Sequence, residues 1–272
     1  MKRSQKKYIY TLKDGRFQYF PSCNTITPFC SKQPSDIDEN HRSSGIPNFD
    51  EIIGGLPRKD LTLFVVEHGV GPRYIPFLDQ IAISLASRGI GVVRVHSIGA
   101  TFQENSEQYL KIDSIYTFKP KSWITWRIDK LFPTVREYLE FLEHTQKESS
   151  EIVELSLMEF RKEYNDFLVK LREKHSNIVE FIGLDTFEIL YGQDNTVKLL
   201  DEAMQRALEN REILVAVAKK GMKSLEMLSK LANLLFVFKD IDGGLFIYGV
   251  QPRTGLYNIS SDKDGVHLTE VV

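Results

Sequence analysis

Cysteine is nearly absent from this chain of 272 residues, Cys23 and Cys30 being the two present. Two thiols make neither a disulfide framework nor a four-ligand zinc site, and their spacing fits no common metal motif. Their scarcity leads us to expect a reducing, cytoplasmic setting. Long apolar runs are missing as well, none approaching the roughly 18 residues that span a bilayer. The opening Met-Lys-Arg-Ser-Gln-Lys-Lys has no hydrophobic stretch of the secretory kind behind it. Export, membrane insertion and a membrane partner are therefore not expected. Neither charge sign is in excess, since 35 Lys+Arg face 37 Asp+Glu and leave −2. No whole-molecule field is available for gripping phosphate backbones, and contact with nucleic acid would need a local basic patch. What is there, 42% hydrophobic and 26% charged residues, is ordinary globular composition with enough apolar surface for one large domain or two small ones.

The near-neutral average hides one basic segment. Residues 1–20 hold six basic side chains, Lys2, Arg3, Lys6, Lys7, Lys13 and Arg16, against one acid, Asp14, a local balance of +5. Within it Tyr8–Leu12 and Arg16–Phe20 flank Lys13-Asp14-Gly15, the pattern of two short strands around a turn. These cations, interleaved with aromatics, are the candidate nucleic-acid contact; packing or an oligomer contact is the plainer use of the same aromatics. Residues 21–43 lose periodicity and read as a linker.

From Ser44 onward short apolar runs alternate with helical periodicity. Leu61–Val66, Gly91–His96, Ile178–Leu184, Ile213–Ala218 and Leu234–Phe238 are short enough to be buried strands. Ile75, Leu78, Ile81, Ala82 and Leu85 recur at helical spacing up to Gly89, and Val197, Leu200, Met204 and Leu208 do so after Asp194 or Asn195. Such alternation predicts an α/β fold with a mainly parallel sheet. Leu245–Val250 and Gly265–Leu268 predict a terminal antiparallel extension. The long connection at about 100–177 is expected to be helical: Leu157, Phe160, Tyr164, Phe167, Leu168 and Leu171 share one apolar face, and Val135, Leu139 and Leu142 a shorter one. The expected organisation is a hairpin and linker over residues 1–43 and a core domain over 44–272.

Ser44-Gly45-Ile46-Pro47-Asn48-Phe49-Asp50-Glu51-Ile52-Ile53-Gly54-Gly55-Leu56-Pro57 runs into the first core strand. This phrase closely resembles the approach to the ATPase core in the KaiC-like and RadA-like branch of the RecA superfamily, of archaeal type, where "TGIPGFDELLGGGLP" occupies the same place. The resemblance implies a RecA-like P-loop NTPase core. In that family the strand opens into a loop, G-x-x-G-x-G-K-[ST], whose backbone N–H groups, lysine and hydroxyl hold phosphates and magnesium. Here the loop reads Val66-Glu67-His68-Gly69-Val70-Gly71-Pro72-Arg73-Tyr74. Gly69 and Gly71 match the last two glycines, whereas Pro72 stands for the lysine and Arg73 for the hydroxyl. Pro72 brings neither a cation nor an N–H. The family's acidic pair after the second core strand is missing too, the sequence there being His96-Ser97-Ile98-Gly99-Ala100. Asp185 matches the magnesium-site aspartate, and Arg253 the arginine used across a subunit boundary.

The resemblance, with these departures, implies a catalytically inactive, degenerate member: no ATP hydrolysis, no ATP or magnesium cofactor, and structural or regulatory work as a homo-oligomer, hexameric in many such proteins, or beside an active RecA-family paralogue in recombination, repair or signalling. Single-stranded nucleic-acid binding and an enzyme reusing the vacated crevice are the alternatives. For the last, Glu67, His68, His96 and Asp185 sit at strand ends that line the usual ligand crevice, and His68, His96 and Asp185 include metal-ligand types. The plainer reading makes them hydrated polar groups, so no metal is expected. Arg73 invites an anion at a helix start or else caps that helix. Trp123 and Trp126, among Lys119, Lys121 and Arg127, suit base stacking or one packed helical face.

Overall fold

A computed structural model of the chain describes residues 9–13, 16–20, 36–95, 97, 113–118, 149–262 and 265–271. Cys23, Cys30, His96, Trp123, Trp126, Val135, Lys2, Arg3, Lys6 and Lys7 lie outside the described residues. Within the basic segment β1 (Ile9–Lys13) and β2 (Arg16–Phe20) pair antiparallel as expected, with Lys13 and Arg16 as register partners.

The core is a nine-stranded sheet. β5 (Leu61–Val66), β6 (Gly91–Val95), β7 (Ile115–Thr117), β8 (Ile178–Gly183), β9 (Ile213–Lys219) and β10 (Leu234–Ile241) are its parallel part. β11 (Gly244–Gln251), β12 (Leu256–Asp262) and β13 (Gly265–Val271) extend it as an antiparallel meander. The spatial order is β13-β12-β11-β10-β5-β9-β8-β6-β7. β5 therefore lies in the middle, hydrogen-bonded in parallel to β10 and to β9. All six of its residues are buried, as a strand covered on both faces must be. Its side chains alternate between two cores, Phe64 and Val66 facing one, Leu61, Leu63 and Val65 the other.

On the first face lie α1 (Pro47–Ile53) and α2 (Ile75–Ala86). Here the segment Ser44–Pro57 has a packing meaning. Phe49 is fully buried, its ring centroid 5.0 Å from that of Phe236 and 5.3 Å from that of Phe77, edge-on contacts that add to its area burial. Asp50 accepts from the Ser44 backbone N–H at 2.8 Å and from the Ser43 hydroxyl, fixing the turn before α1. Gly54, left-handed at φ 71°, ends the helix by donating to the Asp50 carbonyl. Upstream, β3 (His41–Arg42) pairs with β4 (Leu56–Pro57) and ties the phrase to the preceding chain.

The second face carries α3 (Ser149–Arg172), α4 (Leu184–Tyr191), α5 (Gln193–Asn210) and α6 (Leu225–Leu231). The apolar stripe expected on α3 is the face it buries, with Leu157, Phe160, Tyr164, Leu168 and Leu171 inside. A charged seam secures it: Arg172 grips the buried Glu212 with two bonds of 2.8 Å, and Tyr164 donates to Glu180, which is fully buried on β8. Among the described residues no helix is long and apolar enough to cross a membrane.

Several boundaries differ from expectation. β8 ends at Gly183, one residue short of the expected run. α5 opens at Gln193 after Gly192 with no side-chain cap, rather than at Asp194 or Asn195, because Gly192 at φ 83° turns the chain directly out of α4. β12 is not among the expected strands, and the three-residue β7 is a strand within the connection expected to be helical.

Candidate functional site

The crevice lies at the carboxyl ends of the parallel strands, beside the loop Glu67–Tyr74 that joins β5 to α2. Gly69 and Gly71 both adopt left-handed backbone, φ 89° and 58°, which is why glycine stands at each. Beyond them Gly71–Tyr74 makes a single 3-10 turn with Pro72 in its first half, and α2 follows directly. Val70 is fully buried and anchors the loop from below. The loop edges a cavity of about 300 Å³ lined also by Glu67, His68, Tyr74, Lys219 and Lys220.

Arg73 does not face that cavity as an anion receptor. Its guanidinium donates to the carbonyls of Val70 (3.1 Å), Gly69 (3.0 Å) and Gly243 (2.9 Å) and pairs with Asp240. Asp240 and Gly243 belong to the hairpin end of β10 and β11, so the residue in the hydroxyl's position staples the loop to the neighbouring strand pair. The helix-capping reading is replaced by the same observation.

Two lysines that no motif announced supply the cations. Lys219 ends β9, and Lys220 continues the strand pairing by donating its N–H to the Val66 carbonyl at 2.9 Å. Lys220 Nζ lies 2.8 Å from Glu67 Oε1, a hydrogen bond that raises the lysine pKa. Lys219 Nζ lies 2.7 Å from Asp185 Oδ2. Asp185, in the first turn of α4 and 5% exposed, uses its other oxygen to accept from the Ser97 hydroxyl. Tyr74 completes the wall: burial first, and then the Asp185 charge, push its hydroxyl from 10 up to about 12, while a hydrogen bond with Ser97 works the other way. One layer further in, Arg94 pairs with Asp79 of α2 at 3.0 Å, both side chains buried.

The remaining candidates separate. His68 is exposed, its ring lying over Gly221, where a Cβ would sit 3.5 Å from Cε1. His96 lies outside the described residues. Among the described residues no three His, Cys, Asp or Glu side chains gather as a metal set. Arg253 is exposed in the connection from β11 to β12. Because β11 runs antiparallel and its Gln251 lies opposite Leu235 at the start of β10, Arg253 stands at the far end of the sheet, about 15 Å from its own crevice by strand rise.

What the crevice does chemically follows from its pairings. Glu67 and Asp185 each face a lysine within 2.8 Å, so each carboxylate has one oxygen already engaged by an ammonium. Lys219, Lys220, Ser97 and Tyr74 were missed by the motif reading. The rule that strand ends line the ligand crevice, applied to β9 and β6, points to Lys219 and Ser97.

No family model matches the chain, and no curated protein matches it in sequence. Among solved structures, the KaiC-like protein of the hyperthermophilic archaeon Pyrococcus horikoshii OT3 superposes over 84% of this chain and 98% of its own, with a TM-score of 0.51 and 14% identity. At that identity the likeness is one of architecture: the mainly parallel sheet, with its central β5 and the loop into α2, is a RecA-like core of KaiC-like fold.

Proposed function

We propose that this chain is a catalytically inactive RecA/KaiC-like subunit, a pseudo-ATPase whose work is structural or regulatory, carried out in a homo-oligomer or beside an active RadA/KaiC-type paralogue in recombination, repair or signalling. The observation that carries this reading is the Lys219–Asp185 ion pair at 2.7 Å. A magnesium nucleotide, the group the fold family implies, does not fit the residues present. Pro72 gives no N–H and no cation to a phosphate, Arg73 is spent on protein carbonyls and Asp240, and the one inherited acid is occupied by an ammonium. A general base alone contributes about 10²–10⁴ in rate and preorganised charge multiplies it, so losing these groups together leaves little catalysis. Arg253 is exposed and far from its own crevice, which supports a role at a neighbouring subunit.

Light scattering on the purified protein, with a tagged pull-down from the native host, tests the reading. Defined oligomers or a RecA-family partner support it; a strict monomer that captures nothing counts against it. The formed β1–β2 hairpin keeps one second reading in view, single-stranded nucleic-acid binding through Lys13, Arg16 and the basic residues before them. That reading requires salt-sensitive binding that disappears when residues 1–20 are deleted.

A further inference from the structure

We infer that the amino end of the sheet, opposite the crevice, carries a phosphate-binding site built from Arg58 and Arg211. The inference stands apart from the pseudo-ATPase reading and uses none of the crevice residues.

The cations of the crevice are already engaged, Arg73 by Asp240 and three carbonyls, Lys219 by Asp185 and Lys220 by Glu67. At the other end of the same strands two guanidiniums come together without an acid between them. Arg58 lies in the turn before β5, and its guanidinium donates to Asn177 Oδ1, just before β8, at 3.0 Å. β9 lies between those two strands in the sheet, so the side chain passes the start of β9, where Arg211 stands. Backbone bonds fix the arrangement: the Lys59 N–H donates to the Glu212 carbonyl at 2.7 Å, and the Arg58 N–H to the Asn40 carbonyl at 2.8 Å. The two charges are felt by one another, for burial first and then the Arg211 charge lower the Arg58 pKa. Glu212, the acid beside Arg211, is buried and held by Arg172 through two bonds of 2.8 Å. Asp60, Glu173 and Glu209 stand at the same end, and among the described residues none of them pairs with either arginine. The α5 dipole favours a cation at Arg211, which explains one charge there and not the second drawn beside it. Lys59 and Arg211 also hold left-handed backbone, φ 68° and 56°, where glycine would sit without strain. Arg58 is half-buried and Arg211 exposed, so both are within reach of a ligand. Like charges held close, with neutral Asn177 as the fixed acceptor, form a pattern that a multiply charged oxyanion completes, because planar guanidinium forks take phosphate oxygens two at a time.

Calorimetric titration of the full chain with inorganic pyrophosphate, at low salt and without divalent ions, tests the site. Wild type is expected to bind one pyrophosphate per chain, and Arg58→Gln and Arg211→Gln are each expected to weaken it at least roughly tenfold. Lys239→Gln, which removes an exposed charge from β10, is expected to leave binding unchanged. Where Arg58→Gln does not fold, Arg58→Lys replaces it; this variant keeps the charge, loses the planar fork and should weaken binding by a smaller factor. Absence of binding by wild type overturns the inference, as does equal binding by wild type and both arginine variants. Loss of binding in Lys220→Gln with both arginine variants unaffected also overturns it, because the anion then sits in the crevice. A second arm adds a thymidylate oligomer as competitor. Displacement of pyrophosphate identifies a nucleic-acid strand as the carrier of the phosphate, and no displacement identifies a small phosphate compound; both results keep the site. The pseudo-ATPase reading is tested separately, by oligomeric state and partner capture.

Discussion

Arg73 reaches Asp240, a residue 167 positions later, and binds the phosphate-like loop to the turn between β10 and β11. The side chains are about a quarter exposed, 26% and 25%, so solvent screening limits the pair. A double-mutant cycle of Arg73→Ala and Asp240→Ala, read by urea denaturation, is expected to give a coupling of about 0.5–1 kcal/mol. Strict additivity would mean that the carbonyls of Gly69, Val70 and Gly243 hold the arginine unaided.

Tyr74 gives the crevice a pH signature. Its hydroxyl titrates at about 12 in the folded protein against 10 unfolded, so the folded state holds its proton more tightly. That contribution is complete below pH 10 and is lost as pH rises toward 12. At 1.36 kcal/mol per unit, wild type should lose about 2–3 kcal/mol more than Tyr74→Phe across that window. Parallel pH–stability curves for the two proteins would contradict the assignment.

The seam under α3 depends on charge pairing rather than apolar contact. Glu180 is fully buried, bonded to the Tyr164 hydroxyl and, at 3.3 Å, to Arg206, whose guanidinium lies 5.4 Å from the centre of the Tyr164 ring. Arg206→Met strands the carboxylate and is expected to cost about 3 kcal/mol, part of it regained in Glu180→Gln/Arg206→Met. Urea midpoints for the three proteins check the order.

Gly45 is a steric requirement of the turn before α1. It sits at φ 80°, and a Cβ there would meet the Ser84 side chain of α2. Gly45→Ala is expected to destabilise by about 2–4 kcal/mol from overpacking and left-handed strain together. A companion Ser84→Gly substitution should restore the steric share alone. A neutral Gly45→Ala would show that α2 yields easily.

The fold was legible where burial speaks directly. Largely apolar runs such as Leu61–Val66, broken only by Thr62, match their strands because a strand covered on both faces is built mostly of apolar residues. Legibility failed where polar groups substitute for hydrophobic contact. β12 reads Leu-Tyr-Asn-Ile-Ser-Ser-Asp, and its Asn258 is buried by bonding the Leu245 carbonyl at 3.1 Å. α4 follows β8 without a loop, and α6 has seven residues, too few for a periodic signal. In the crevice, the departures at Pro72 and Arg73 could be read against a motif, but their partners could not. Lys220 lies 153 positions after the Glu67 it pairs with, and only the parallel pairing of β5 with β9 brings them together.

The loss of the magnesium nucleotide proposed above is open to calorimetric titration of the wild-type protein with ATP and Mg²⁺: no submicromolar binding is expected, and a stoichiometric site of submicromolar affinity would overturn the proposal.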